Sequence, residues 1–161
     1  MVCTSSGRMK LLQIIISPGH DYWVPKGGPA HQHGTQSPSE VDCVAGFGLV
    51  GDRYFHGKPN RKGQVTFFDY DVLQQIREQF DLPQLPASLL RRNLVVVGAD
   101  LSTLLGQQFE LQGVQFEGRQ ECRPCGWMDR MIAPGAKSFM SQGFRGGLRA
   151  RVLTNGKLQV G

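Results

Sequence analysis

Short apolar runs separated by glycine and proline are the feature that most limits how this chain can fold. The longest run, residues 11–16, has the length of a single strand. It is far below the roughly 20 apolar residues that a membrane-spanning helix needs. The 21 glycines and 9 prolines divide the 161 residues into many segments of similar size. The sequence therefore predicts short strands and turns, and no membrane span.

One segment, residues 69–80, has the periodicity of an amphipathic helix. Its apolar side chains recur at helical spacing, and Asp69 can cap its first turn. Shorter helical segments are expected at residues 100–105 and 136–142. Strands are predicted at residues 10–16, 41–45, 64–68, 94–97, 108–111, 114–117, 148–153 and 158–160. This pattern predicts a mainly β fold, a barrel with a few short helices and an α+β tendency, in one domain spanning residues 1–161.

Two pairs of neighbouring strands are joined by turn-forming residues. Gln112-Gly113 is a two-residue hairpin signal between the strands on either side of it. Residues 154–157, Thr-Asn-Gly-Lys, predict a second hairpin that pairs residues 148–153 with residues 158–160.

The charge of the chain favours a small anionic ligand. It carries 18 Lys and Arg against 13 Asp and Glu, a net charge of +5. The arginines are scattered through glycine-rich turns, which is typical of an anion pocket and disfavours a nucleic-acid interface. Arg53, Arg91 and Arg145 lie in such turns, where guanidinium and backbone N–H groups can hold phosphate or carboxylate. No Gly-Lys-Ser/Thr sequence is present, which disfavours nucleotide hydrolysis.

Cys122 and Cys125 form a Cys-Arg-Pro-Cys motif that is open to several functions. A close thiol pair can bind a soft metal, act as a redox pair or provide a sulfur nucleophile, and the nearby arginines favour the thiolate form. A zinc site would need further ligands, such as His31 and His33. A thioredoxin-like role would need a βαβ unit around the motif. With four cysteines in a chain of this size, we expect reduced thiols and a cytoplasmic protein.

An ordered set of motifs resembles the MOSC domain, in particular the C-terminal domain of molybdenum cofactor sulfurase. The set extends over nearly the whole chain, and its order is more specific than any one motif. In chain order it consists of Gly48-Leu-Val-Gly51-Asp52-Arg53, Arg91-Arg92-Asn93-Leu94, Gly106 before a strand pair, Cys122-Arg-Pro-Cys125 and Arg145-Gly-Gly147. The resemblance implies a β-rich barrel in a stand-alone form.

The resemblance also implies a cofactor and residues that bind it. The cofactor is the molybdenum cofactor, an anionic pterin, and the residue that ligates molybdenum or carries sulfur corresponds to Cys125, with Cys122 as its neighbour in the motif. Arg91 and Asn93 match an Arg-x-Asn motif that contacts the pterin phosphate. Arg53 is expected as a third contact on the pterin side, and Arg145 as a further cofactor-binding residue.

Two functions follow from the resemblance. The first is an oxidoreductase that reduces N-hydroxylated compounds with electrons from a separate donor protein. The second is a sulfur carrier that accepts persulfide on Cys125 from a cysteine desulfurase. No pyridoxal phosphate is expected in this chain, because it has no aminotransferase-like segment. A third alternative is an RNA-binding β-barrel. The scattered positions of the arginines argue against it.

Overall fold

A six-stranded mixed sheet and a three-stranded antiparallel sheet form the framework of the protein. The structure, a computed structural model, describes residues 9–17, 35–56 and 64–161. The strands are β1 Lys10–Ile14, β2 Glu40–Val44, β3 Gly48–Leu49, β4 Val65–Asp69, β5 Leu94–Val97, β6 Gln108–Leu111, β7 Val114–Glu121, β8 Leu148–Val152 and β9 Gly156–Gln159. The helices are α1 Tyr70–Gln79, α2 Gly126–Met131 and α3 Ala136–Met140, with 3-10 turns at Arg53–His56, Ala87–Leu90 and Leu101–Leu104.

The larger sheet curls around the main hydrophobic core. Its strand order is β1-β5-β4-β8-β7-β6, and β4 and β5 are parallel whereas the other neighbours are antiparallel. The smaller sheet has the order β3-β2-β9. Alternate side chains of each strand face the core, where Phe67 makes edge-to-face contacts with Phe109 and Phe116 at centroid distances of 5.2 and 5.1 Å. The prediction of a mainly β, barrel-like fold with a few short helices is confirmed.

Helix α1 forms where the sequence predicts it. Asp69 is its N-cap, and the Asp69 carboxylate accepts a hydrogen bond from the Asp71 backbone N–H. Its apolar face packs on the outer side of β4 and β5, together with α2 and α3, and covers a second hydrophobic cluster. In the part of the chain that the structure describes, no helix is long and apolar enough to cross a membrane.

The hairpin predicted for residues 148–160 is wrong. Strand β9 pairs with β2, not with β8. The reason is that both edges of β8 are occupied, one by β4 and the other by β7. The Val152 carbonyl accepts from the Gly46 N–H at 2.8 Å, and the Leu153 N–H donates to the Gln115 carbonyl at 2.8 Å. The chain therefore crosses to the smaller sheet. By contrast, the predicted hairpin between β6 and β7 is confirmed.

Candidate functional site

Three segments named by the sequence motifs meet around the middle of the larger sheet. Leu94, Phe67, Leu148 and Glu121 lie in one register row across β5, β4, β8 and β7. The row places side by side the segment that leads into β5, the segment that leads into β8 and the segment that follows β7. We call them the Arg91 turn (residues 91–93), the Gly146 turn (residues 145–147) and the cysteine loop (residues 122–125).

Arg53 and Arg91 are joined in one hydrogen-bonded network. Arg53 Nη2 donates to the Arg91 carbonyl at 3.4 Å, and Arg53 Nη1 contacts Asp52 Oδ1 at 3.3 Å. Arg91 Nη2 donates to Ser17 Oγ at 3.1 Å, and the Ser17 N–H donates to Asp52 Oδ1 at 3.0 Å. Arg91 has a φ of 57°, in the left-handed region that is uncommon for residues other than glycine. The network ties the arginine of the 3-10 turn to the Arg91 turn.

Asn93 has a supporting position inside the fold, and its contact with the cofactor phosphate stays a prediction. It is buried, and its Oδ1 accepts from the Thr66 N–H at 3.0 Å and from Thr66 Oγ1 at 3.1 Å. Its Nδ2 donates to the Ile15 carbonyl at 3.1 Å. Because both polar atoms of the amide are used inside the fold, Asn93 fastens the Arg91 turn to β4 and to the segment after β1.

Arg92 belongs to the Arg91-Arg92-Asn93-Leu94 motif, but the sequence analysis gave it no role of its own. Its side chain is buried; Nε donates to the Gly146 carbonyl at 2.9 Å and Nη1 to the Leu90 carbonyl at 3.3 Å. Its third nitrogen, Nη2, is buried with no hydrogen-bond partner, and no carboxylate of the described residues pairs with it. The only hint in the sequence is that two arginines directly precede the buried strand at residues 94–97.

Arg145 reaches away from the Arg91 turn, toward the helices. Its Nε donates to Gln75 Oε1 at 3.2 Å, its Nη1 donates to the Phe139 carbonyl at 3.1 Å, and its guanidinium stacks 4.0 Å from the centre of the Phe139 ring. The contacts place Arg145 between α1 and α3. Its part in binding a cofactor stays a prediction.

The glycines of the Gly146 turn allow a close approach to the cysteine loop. A Cβ on Gly146 would collide with the Cys122 carbonyl and lie 3.2 Å from Pro124 Cδ. Gly147 has a φ of 99°, and its carbonyl accepts from the Cys122 N–H at 2.8 Å. The loop and the turn are therefore in direct backbone contact.

The two thiols of the cysteine loop have opposite surroundings. Cys122 is 2% exposed, whereas Cys125 is exposed and serves as the N-cap residue of α2 without a side-chain capping bond. Both are free thiols. Cys43 on β2 is also free, and burial, with a smaller effect from the charge of Asp42, raises the pKa of its thiol to about 12. Cys125 is therefore the thiol of this loop that a reagent or ligand can reach.

A zinc site receives no support from the described residues. Within residues 9–17, 35–56 and 64–161, no group of three or more His, Cys, Asp or Glu side chains is placed to hold a metal ion. His31 and His33, the ligands that such a site would need, lie outside the described residues.

Comparisons with known proteins agree with this architecture. The YuaD protein from Bacillus subtilis superposes with a TM-score of 0.71 at 17% identity, over 95% of this chain and 92% of that one. YiiM from Geobacillus stearothermophilus superposes with a TM-score of 0.69 at 14% identity, over 95% and 72% of the two chains. YiiM from Escherichia coli has a TM-score of 0.61 at 16% identity, over 93% and 65%. At these identities the likeness shows the fold alone.

Sequence comparison gives the family. A search of curated proteins finds no significant match. The family model of the MOSC domain matches residues 52–161, which include the Arg91 turn, the cysteine loop and the Gly146 turn. The chain therefore belongs to the MOSC domain family.

Proposed function

We propose that the protein binds the molybdenum cofactor, with the anionic pterin side at the Arg91 turn and the metal at Cys125. The observation that carries this proposal is the position of Arg92. Its guanidinium is buried with no carboxylate partner among the described residues, and it is bonded to the turn that contacts the cysteine loop. A positive charge that no carboxylate of the described residues neutralises and an exposed thiol thus occur in neighbouring segments.

The charges of the Arg91 turn fit an anionic group. Taking a charge out of water is costly unless an opposite charge or hydrogen bonds compensate for it. Arg92 retains an unused Nη2, and Arg91, next to it, is only half-buried. Arginine is well suited to phosphate because its planar fork can donate two parallel hydrogen bonds. A pterin phosphate at this turn would supply the missing negative charge.

The exposed thiol fits a metal that brings most of its own ligands. A thiolate is a soft ligand of the kind that sulfur-bound metals prefer. The described residues offer no further metal-binding cluster near Cys125. A cofactor that already holds its metal through pterin sulfurs needs only one protein thiolate. Cys125, at the start of α2, can provide it.

The residues of the chain would bind and orient the cofactor. Arg91 would hold the phosphate, the buried positive charge of Arg92 would strengthen the attraction, and Arg53 and Asn93 would fix the Arg91 turn. Arg145 is proposed as a further cofactor-binding residue. When bound, the cofactor supplies a two-electron redox centre. We propose reduction of N-hydroxylated compounds, in which two electrons from a separate donor protein and two protons convert the N–OH group to N–H and water.

Elemental analysis tests the cofactor proposal. The wild-type protein, Cys125→Ser and Cys122→Ser would be purified from a host that makes the cofactor. We expect molybdenum and pterin in the wild type and in Cys122→Ser, and their loss in Cys125→Ser. Wild-type protein without molybdenum would contradict the proposal. Reduction of an N-hydroxylated amidine with a chemical electron donor then tests the reaction itself.

A sulfur carrier is the second candidate, favoured by the exposure of Cys125. In this reaction the Cys125 thiolate attacks the outer sulfur of a persulfide on a cysteine desulfurase. A new S–S bond forms on Cys125, and the desulfurase cysteine leaves as thiolate. Intact mass after incubation with a desulfurase and cysteine should rise by one sulfur atom in the wild type and not in Cys125→Ser. A wild-type mass that does not change would exclude this function.

A further inference from the structure

Arg92 connects two turns, each of which contains or directly follows a non-glycine residue with a positive φ. Arg91, in the first turn, has a φ of 57°, and Phe144, directly before the Gly146 turn, has a φ of 60°. Neither residue is glycine, and such conformations persist only where the surroundings impose them. The side chain of Arg92 spans the gap between the turns, with Nη1 on the Leu90 carbonyl and Nε on the Gly146 carbonyl.

The contact of Arg92 with Gly146 extends to the cysteine loop. Gly146 lies so close to the Cys122 carbonyl that no Cβ fits between them. The next residue, Gly147, accepts the hydrogen bond of the Cys122 N–H. A displacement of the Gly146 turn therefore has to move the backbone of Cys122. The loop has a second anchor in α2, where Trp127 Nε1 donates to the Leu89 carbonyl at 3.0 Å.

The stability of the fold does not by itself explain why residue 92 is an arginine. Its charge is buried, one nitrogen is unused, and its two bonded partners are neutral carbonyls. Replacement of buried charged groups by well-packed apolar atoms of similar volume is often neutral or stabilising. A rigid fork that reaches two turns at once, however, is something that only a guanidinium provides.

We propose that Arg92 is a positioning residue that holds the cysteine loop closed against the Gly146 turn. It keeps the Cys122 thiol covered and keeps Cys125 at a fixed position relative to the Arg91 turn. The value of this arrangement for cofactor binding rests on the proposed function. The closed loop itself does not, because every contact that forms it lies within this chain.

Alkylation of the cysteines in metal-free protein tests the proposal. Cys122 reports opening of the loop, and Cys43, buried in the main core, reports unfolding of the whole domain. In a Cys3→Ser background, peptide mass spectrometry measures the rate at each thiol. In the Cys3→Ser protein with Arg92 intact, we expect fast labelling of Cys125 and slow labelling of Cys122 and Cys43. In Arg92→Met we expect Cys122 to react about tenfold faster or more, since a hydrogen bond to a charged group is lost, with Cys43 unchanged.

Arg77 offers a matched control. It also donates to a turn carbonyl, that of Leu85, at 3.0 and 2.7 Å from Nε and Nη2, but it lies on α1. Arg77→Met should leave Cys122 as slow as Cys43. Arg92→Lys should give an intermediate rate at Cys122, because one ammonium cannot reach both carbonyls in the geometry of the fork.

Two results would overturn the proposal: Cys122 stays slow in Arg92→Met, or Cys122 and Cys43 accelerate together. If Arg92→Met does not fold, Arg92→Lys decides by the same ratio of Cys122 to Cys43. The outcome is independent of the proposed function. Wild-type protein without molybdenum would refute cofactor binding and leave the labelling ratio unaffected. An unchanged rate at Cys122 in Arg92→Met would refute the positioning role and leave cofactor binding untouched.

Discussion

Two groups of arginines in this protein are compensated in opposite ways. On the outer face of β7 and β8, Arg119 and Arg151 share one carboxylate, that of Glu117, at 2.9 and 3.0 Å. We call this the β7–β8 face. At the Arg91 turn, by contrast, the Arg92 guanidinium is bonded to backbone carbonyls and has no carboxylate among the described residues.

This difference distinguishes arginines whose charge is screened at the surface from an arginine whose charge can attract a bound anion. An arginine that shares a carboxylate at a partly exposed surface is partly neutralised by it and screened by water, so the pair contributes little to stability. An arginine that is bonded only to carbonyls keeps its full charge and attracts an anion. Both groups look alike in the sequence. The comparison therefore predicts that substitutions at the Arg91 turn and its neighbours affect the site strongly, and that those on the β7–β8 face do not.

The largest effect is expected from Gly146→Ala. Its Cβ would collide with the Cys122 carbonyl, so the Gly146 turn and the cysteine loop must separate. We expect a loss of about 3 kcal/mol in the free energy of unfolding, as for overpacked core sites, together with loss of bound cofactor. Chemical denaturation and molybdenum content measure the two.

Gly143→Ala is the control for this substitution. Gly143 has a φ of 63° but open space around its Cβ position, so only the backbone strain of about 1 kcal/mol applies. Equal losses in the two variants would show that the contact with Cys122 is unimportant.

The next effect is expected from Arg91→Ala compared with Arg149→Ala. Arg149 lies on β8 opposite Gln120, on the β7–β8 face. Removal of a charged hydrogen-bond donor to phosphate should weaken cofactor retention about tenfold in Arg91→Ala. Arg149→Ala should retain the cofactor as the wild type does. Molybdenum content after dialysis is the measurement, and equal loss in both variants would contradict the phosphate assignment.

A smaller effect is expected from Glu117→Gln. The substitution removes the carboxylate that Arg119 and Arg151 share. Because the three side chains are partly exposed, the free energy of unfolding should fall by less than about 1 kcal/mol, and high salt should reduce the difference. Cofactor content should not change. Loss of cofactor in this variant would show that the β7–β8 face takes part in binding.

The smallest effect concerns the partly buried carboxylate of Asp69, at the N-terminus of α1. Burial raises the pKa of Asp69 above its ordinary value of 3.8, although the hydrogen bond from the Asp71 N–H opposes the shift. Compared with the unfolded chain, the folded protein therefore favours the protonated form of the Asp69 carboxyl group. This contribution to stability is present below pH 3.8 and is lost as the pH rises through the raised value.

Asp69→Asn isolates this contribution, because asparagine caps a helix as well as aspartate does. Denaturation of both proteins from below pH 3.8 to neutrality should show the variant gaining stability relative to the wild type as the pH rises. A constant difference across this range would indicate that Asp69 is solvated.

The parts of the fold that depend on residues close together in the sequence can be predicted from the sequence. The periodicity of residues 69–80 and the cap at Asp69 predict α1, because the bonds involved span only a few residues. Gln112-Gly113 predicts the hairpin of β6 and β7, and both residues have the positive φ that this turn requires, 52° and 85°. The order of the arginine and cysteine motifs likewise indicated the family.

Other features depend on contacts between distant residues, and only the tertiary structure decides them. Strand β9 joins β2 because β4 and β7 already occupy both edges of β8. The amide of Asn93 is used by Thr66 and the Ile15 carbonyl. The sequence by itself determined that this chain has short strands, a Cys-Arg-Pro-Cys motif and arginine-bearing turns. Packing decided which thiol of this motif is exposed and which arginine is buried with no carboxylate beside it in the described part of the chain, since burial depends on neighbours that are far away along the chain.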